Sequence, residues 1–117
     1  MQTITPEKLN QWMDQGQNFV LIETLPEKQF RKAHLPGAIN IPVDDQRFAE
    51  KVEEAAPQKE RPLVVYCANT ECPASPRAAE KLEEMGYKSV FDCEAGKKAW
   101  KAAGYHLEPS ISPRLWS

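Results

Sequence analysis

The chain has 117 residues, 41% hydrophobic and 27% charged, the balance of a single globular domain with its own hydrophobic core. A net charge of −2, with acids and bases interspersed, leaves no electrostatic footprint for nucleic acid or an anionic membrane surface. Its longest apolar runs are strand-sized, and Met1 to Glu7 carries no basic segment followed by an apolar one. The expectation is a cytoplasmic protein that neither spans nor binds a membrane.

Taken in chain order, short apolar runs alternate with helical patterns, as in an α/β domain with a mostly parallel sheet. Thr5-Pro6 reads as an N-cap followed by a first-turn proline, with Leu9, Trp12 and Met13 on one apolar face and Gly16 as the stop. Phe19 to Ile22 is a buried strand. Pro26 to Lys32 is a short helix, and Ala38 to Ile41 a second strand after the Pro36-Gly37 turn. Asp44 or Asp45 is expected to cap the next helix, where Phe48, Val52 and Ala55 share a face.

Leu63 to Tyr66 is the central strand, ending at Cys67 and an irregular stretch from Ala68 to Ala74. Ser75 is expected to cap the following helix, with Pro76 in its first turn and Gly86 as its stop. Val90 and Phe91 form the last strand, and Ala95 to Ala103 the last helix. The domain is expected over residues 1–107. Residues 108–117, with Leu115 and Trp116, read as a loosely attached tail.

Strand, cysteine, loop and helix start together make a candidate site, because open α/β sheets bind ligands beyond the carboxyl ends of their strands. Loop N–H groups and the helix dipole there favour a thiolate, the nucleophilic form, at Cys67. A buried, inert cysteine would also occupy such a position. Three cysteines make no disulfide framework, and Cys67, Cys72, Cys93 and two histidines lack the paired spacing of a zinc site; no metal and no cofactor are expected.

Four segments carry a resemblance. His34-Leu-Pro-Gly-Ala-Ile-Asn-Ile-Pro42, after the strand Val20 to Glu23, resembles the first signature of rhodanese-like sulfurtransferases. Ala95-Gly96-Lys97-Lys98-Ala99-Trp100 is similar to their second signature, with Ala95 in place of one glycine. Val64 to Cys67 and the helix Arg77 to Leu82 resemble the active-site strand and the helix after it. The resemblance spans Ile4 to Tyr105 and implies a rhodanese-like α/β fold: a mostly parallel five-stranded sheet flanked by helices on both faces. It also implies a sulfurtransferase in which Cys67 takes sulfane sulfur from thiosulfate or a similar donor. The persulfide then passes it to a small thiol, a protein thiol or cyanide. Oligomeric state is left open.

Three departures bear on that implication. The loop is longer than the usual one. Between Cys67 and Ser75 it holds no lysine or arginine, while Glu71 adds a negative charge. The Asp-x-Arg that usually ends the first strand reads Glu23-Thr24-Leu25. The candidate substrate-binding set is the loop backbone and rim: Ala68, Asn69, Thr70, Glu71, Pro73, Ala74, Ser75 and Arg77. Arg77 is either an anion ligand or a solvated helix residue. Cys72 is either a resolving thiol for Cys67 or a small residue filling the loop. Cys93 and Trp100 are expected in packing roles, and His34 as structural or at the pocket rim.

Two alternatives stand beside sulfur transfer. One is a non-catalytic interaction or redox-sensing module using Cys67 and Cys72. The other is a Cys-dependent phosphatase or arsenate reductase, whose Cys-x5-Arg pattern would require arginine where Pro73 stands.

Overall fold

The β-branched runs become the middle of a five-stranded, wholly parallel sheet in a computed structural model that describes residues 1–109. In chain order the elements are β1 (Gln2–Thr3), α1 (Pro6–Asp14), β2 (Val20–Glu23), α2 (Glu27–Lys32), β3 (Ile39–Asn40), α3 (Phe48–Ala55), β4 (Leu63–Tyr66), α4 (Ala74–Glu84), β5 (Val90–Cys93) and α5 (Gly96–Ala102). The strands lie in the order β1-β5-β4-β2-β3. Every residue of β2 and β4 is buried, as expected for strands covered on both faces.

Alternate residues of each strand face opposite layers. Ile22, Val65 and Val90 pack with Phe48, Val52, Ala78 and Leu82 under α3 and α4. Leu21, Val64, Tyr66 and Cys93 pack with Leu9 and Trp100 under α1 and α5. Trp12 meets Phe19 and Phe91 edge to face, which closes the outer side of the second layer. Trp100 is 1% exposed and donates its indole N–H to the His106 carbonyl, the anchoring role expected of it.

Three local expectations are corrected. The edge strand β1 escaped sequence reading because Gln2 and Thr3 are polar, exposed and too few to show a period; it pairs with Phe91 and Asp92 of β5. Neither Asp44 nor Asp45 caps α3. Asp45 Oδ1 accepts from the Arg47 N–H at 2.8 Å in the turn before the helix. Nor is Ser75 an N-cap: α4 starts at Ala74, two residues before the expected Pro76, Pro73 stands at its cap without a side-chain bond, and Ser75 lies in the first turn. Thr5 does cap α1, accepting from the Lys8 N–H at 3.1 Å. Glu108 pairs with His34 in an antiparallel bridge, while the expectation for Leu115 and Trp116 lies outside the described residues.

Candidate active site

Cys67 follows β4 at the carboxyl edge of the sheet, directly before the loop to α4. Its placement is fixed from the other side by α5. The first-turn N–H groups of a helix have no partner within it. Here Lys97 donates its backbone N–H to the Cys67 carbonyl and Lys98 donates its own to the Ala68 carbonyl, each at 2.9 Å. That approach requires glycine at position 96, where φ is +73° and a Cβ would lie 2.8 Å from the Cys67 oxygen, the Ala68 carbonyl carbon and the Asn69 nitrogen.

Behind Cys67 lies a buried polar network. The Tyr66 hydroxyl donates to Glu23 Oε1 at 2.7 Å and accepts from the Leu35 N–H at 3.0 Å. Lys97 Nζ is 3.1 Å from each Glu23 carboxylate oxygen and donates to the Ala33 carbonyl at 2.6 Å. Glu23 is wholly buried, so this lysine supplies the compensating charge a buried carboxylate needs. Burial, reinforced by the neighbouring Glu23, pushes the Tyr66 phenol far up and keeps it protonated. Glu23 thus takes its counter-ion from α5, a pairing that residue types alone do not reveal.

The loop is folded on itself. Asn69 Oδ1 accepts from the Glu71 N–H at 3.0 Å, and the Asn69 carbonyl accepts from the Cys72 N–H at 3.2 Å. This brings Cys72 back over Cys67, and the two are disulfide-bonded with their Cα atoms 6.4 Å apart, within the usual span for such a bridge. Cys67 is 1% exposed beneath this cover. Thr70, Glu71 and Pro73 are exposed, and Ala74 packs on the first core layer. Ser75 is buried, with Oγ 3.6 Å from Cys67 Sγ.

Arg77 does not reach the loop: its guanidinium pairs with Asp44 at 3.0 Å. His34 is buried, stacks on Phe30 and has Nδ1 2.9 Å from the Phe30 carbonyl oxygen, a structural placement. Cys93 is buried in the second layer, and burial pushes its thiol up to about 11, which makes it unreactive at neutral pH. Two cavities flank the loop on the α5 side. One, of about 350 Å³, is lined by Leu25, Ala68, Asn69, Lys98 and Lys101, among others. The second, of about 380 Å³, lies between Asn69, Thr70, Glu71 and Lys98. A larger cleft of about 570 Å³ between Asp44, Phe48 and Lys81 contains no residue of the loop. No sequence pattern marks the exposed Lys98 and Lys101 as loop neighbours; only the fold carries them there.

Among the described residues no cluster of side chains could hold a metal ion, and no helix is long and apolar enough to cross a membrane. Residues 5–103 match the rhodanese-like domain family. The chain is 32% identical over 101 residues to an adenylyltransferase and sulfurtransferase of Candida albicans, covering 83% of this chain and 23% of that protein. It is 29% identical over 88 residues to an HTH-type transcriptional regulator of Mycobacterium tuberculosis, covering 75% and 37%. It therefore spans well under half the length of either. The thiosulfate sulfurtransferase GlpE of Coxiella burnetii is 27% identical over 86 residues, covering 73% of this chain and 74% of that one. In three dimensions, a thiosulfate sulfurtransferase of Pseudomonas aeruginosa superposes with a TM-score of 0.83 at 25% identity, over 95% of this chain and 20% of that one. The parallel sheet, the two signatures and the match over residues 5–103 place this chain in the rhodanese-like domain family.

Proposed function

We propose that this protein is a sulfurtransferase or persulfide carrier in which Cys67 is the nucleophile. The observation that carries the reading is the setting of Cys67: at the carboxyl end of the central strand, before the first turn of α4, with its carbonyl bound by α5. Sulfurtransferases among the relatives support it. With the disulfide first reduced by a thiol, the Cys67 thiolate attacks the outer sulfur of thiosulfate. A sulfur–sulfur bond forms at Cys67, the sulfur–sulfur bond of the donor breaks, and sulfite leaves with its electron pair. An acceptor thiolate then attacks the outer sulfur of the persulfide, carries it away and restores the Cys67 thiolate. The dipole of α4 favours the anionic sulfur at both stages. Lys98 and Lys101, beside Ala68 and Asn69, offer the positive charge that the loop lacks.

The test is a panel of sulfane donors offered to pre-reduced wild type, Cys67→Ser and Cys72→Ser, read by intact mass. Loading of one sulfur that disappears only in Cys67→Ser supports the reading. No loading of free Cys67 by any donor removes it.

The disulfide between Cys67 and Cys72 favours a second reading, a redox-sensing module in which Cys72 resolves an oxidised Cys67. It expects mild oxidant to close the pair faster than donors load sulfur. Persistence of loading in Cys72→Ser, with release altered, would instead give Cys72 a resolving role within sulfur transfer.

A further inference from the structure

Cys67 is 1% exposed, beneath a loop that brings Cys72 directly onto it. Two hydrogen bonds within the loop hold the second sulfur there. The Asn69 carbonyl accepts from the Cys72 N–H at 3.2 Å, and Asn69 Oδ1 accepts from the Glu71 N–H at 3.0 Å. Cys72 is itself partly exposed, so it stands between Cys67 and solvent. The disulfide joins Cys72 Sγ to Cys67 Sγ, which becomes the inner sulfur once Cys67 carries a persulfide. An acceptor arriving from outside meets the outer sulfur. The covered inner sulfur is within reach of a thiol of the same chain.

We infer that Cys72 expels the sulfur carried by Cys67 as hydrosulfide, so that the domain reduces sulfane sulfur to sulfide and ends the turnover as the disulfide. This rests on Cys67 being the sulfur-carrying thiol. The Cys72 thiolate attacks Cys67 Sγ of the protonated persulfide. A bond forms between the two cysteine sulfurs, and the bond from Cys67 Sγ to the outer sulfur breaks. The outer sulfur leaves as HS⁻ with that bond's electron pair and its own proton. The sulfane sulfur thereby gains two electrons, supplied by two cysteine thiols that become a disulfide. A dithiol reductant restores the pair, its own thiols becoming a disulfide as Cys67 and Cys72 are reduced. It enters at Cys72, the less buried of the two, and returns Cys67 as a thiolate.

The surroundings favour release over retention. Hydrosulfide is a weaker base than an alkyl thiolate, which makes it the better leaving group from Cys67. A thiol five residues away in a folded loop acts at an effective concentration that a free thiol does not match. Cys93, the third thiol, does not compete. It is buried in the layer under α1 and α5, and burial keeps it protonated at neutral pH. Glu71 is the only charged residue between Cys67 and Ser75, so the loop itself offers the departing anion no cation.

The experiment is a single turnover without air or added reductant. Pre-reduced, desalted protein is mixed with thiosulfate or, in a parallel run, with an alkyl persulfide. Free sulfide is measured, and intact and peptide masses are followed over time. Wild type should carry one extra sulfur early, then release one sulfide per chain and stop. It should end about 2 Da lighter than the reduced protein, with Cys67 joined to Cys72. Cys72→Ser should keep an adduct about 32 Da heavier on Cys67 and release at least about tenfold less sulfide. Cys67→Ser should give only the sulfide of the donor alone. A lasting adduct on wild-type Cys67, or one that moves to Cys72 and stays, overturns the inference. So does a disulfide formed without its equivalent of sulfide, the mark of simple oxidation, and so does equal release by Cys72→Ser. Should that variant fail to fold, the wild-type ratio of sulfide to disulfide decides. A lasting adduct removes the release step alone. No sulfur on Cys67 from either donor, with no sulfide, removes the sulfurtransferase reading and this step with it.

Discussion

Gly96 lies against the carbonyl of Cys67 so closely that a Cβ there would be 2.8 Å from that oxygen, at a backbone φ of +73°. Both the contact and the left-handed conformation oppose any side chain, and the contact is backbone, which has no flexible end to swing away. Gly96→Ala should therefore destabilise the fold by about 2–4 kcal/mol, read as a lower urea midpoint. In whatever protein remains folded, sulfur loading at Cys67 should fall with it. An alanine variant of unchanged midpoint would show that the α5–loop contact is slack.

Lys97 ties the same junction to the end of β2 through Glu23. Lys97→Met leaves a wholly buried carboxylate with Tyr66 as its remaining side-chain partner, at a cost of about 3 kcal/mol. Adding Glu23→Gln should recover most of that loss, since the orphaned charge, and not the missing ammonium, is what destabilises. A double mutant no more stable than Lys97→Met alone would contradict this account.

Much of the framework was legible because β2 and β4 are buried runs whose composition admits few other readings. The position of Cys67 was legible for a related reason: it interrupts the pattern where a buried strand gives way to a polar loop. Ser75 misled because Ser-Pro before an amphipathic run is the local signal of an N-cap, and only tertiary packing turns the hydroxyl toward a sulfur instead. Asp92 and Lys97 were opaque for the opposite reason. A charged residue in a strand or on a helix reads as solvated until register and packing bury it.

Lys98 and Lys101 are exposed and line the cavity beside Ala68 and Asn69. If they draw in an anionic donor, Lys98→Ala should lower the rate of loading from thiosulfate about threefold at low salt, and high salt should erase the difference. Loading from an uncharged sulfane donor should stay the same. Equal losses with both donors would assign Lys98 to structure instead of attraction.

Closing the Cys67–Cys72 loop removes chain entropy from the unfolded state, by about 2 kcal/mol for so short a loop. Oxidised wild type should accordingly unfold at a higher temperature than the reduced protein. Cys72→Ser should melt near the reduced form and ignore added reductant. If reduction leaves the wild-type melting temperature unmoved, the bridge constrains nothing that unfolding releases.

The buried carboxyl of Asp92 makes a thermodynamic statement independent of any reaction. Burial raises it above its ordinary value of 3.8, so the folded chain holds its proton more tightly than the unfolded chain does. Its stabilising contribution is full below the unfolded value and is lost as pH rises through the raised folded value, where the buried group must ionise. Asn at this position titrates in neither state. Relative to wild type, Asp92→Asn should therefore gain stability as pH climbs from about 4 through the folded value, and track wild type on either side of that window. Urea midpoints of the two proteins across that range provide the check. Parallel curves would mean that Asp92 keeps an ordinary pKa when folded, and a difference that shrinks with rising pH would mean a depressed one.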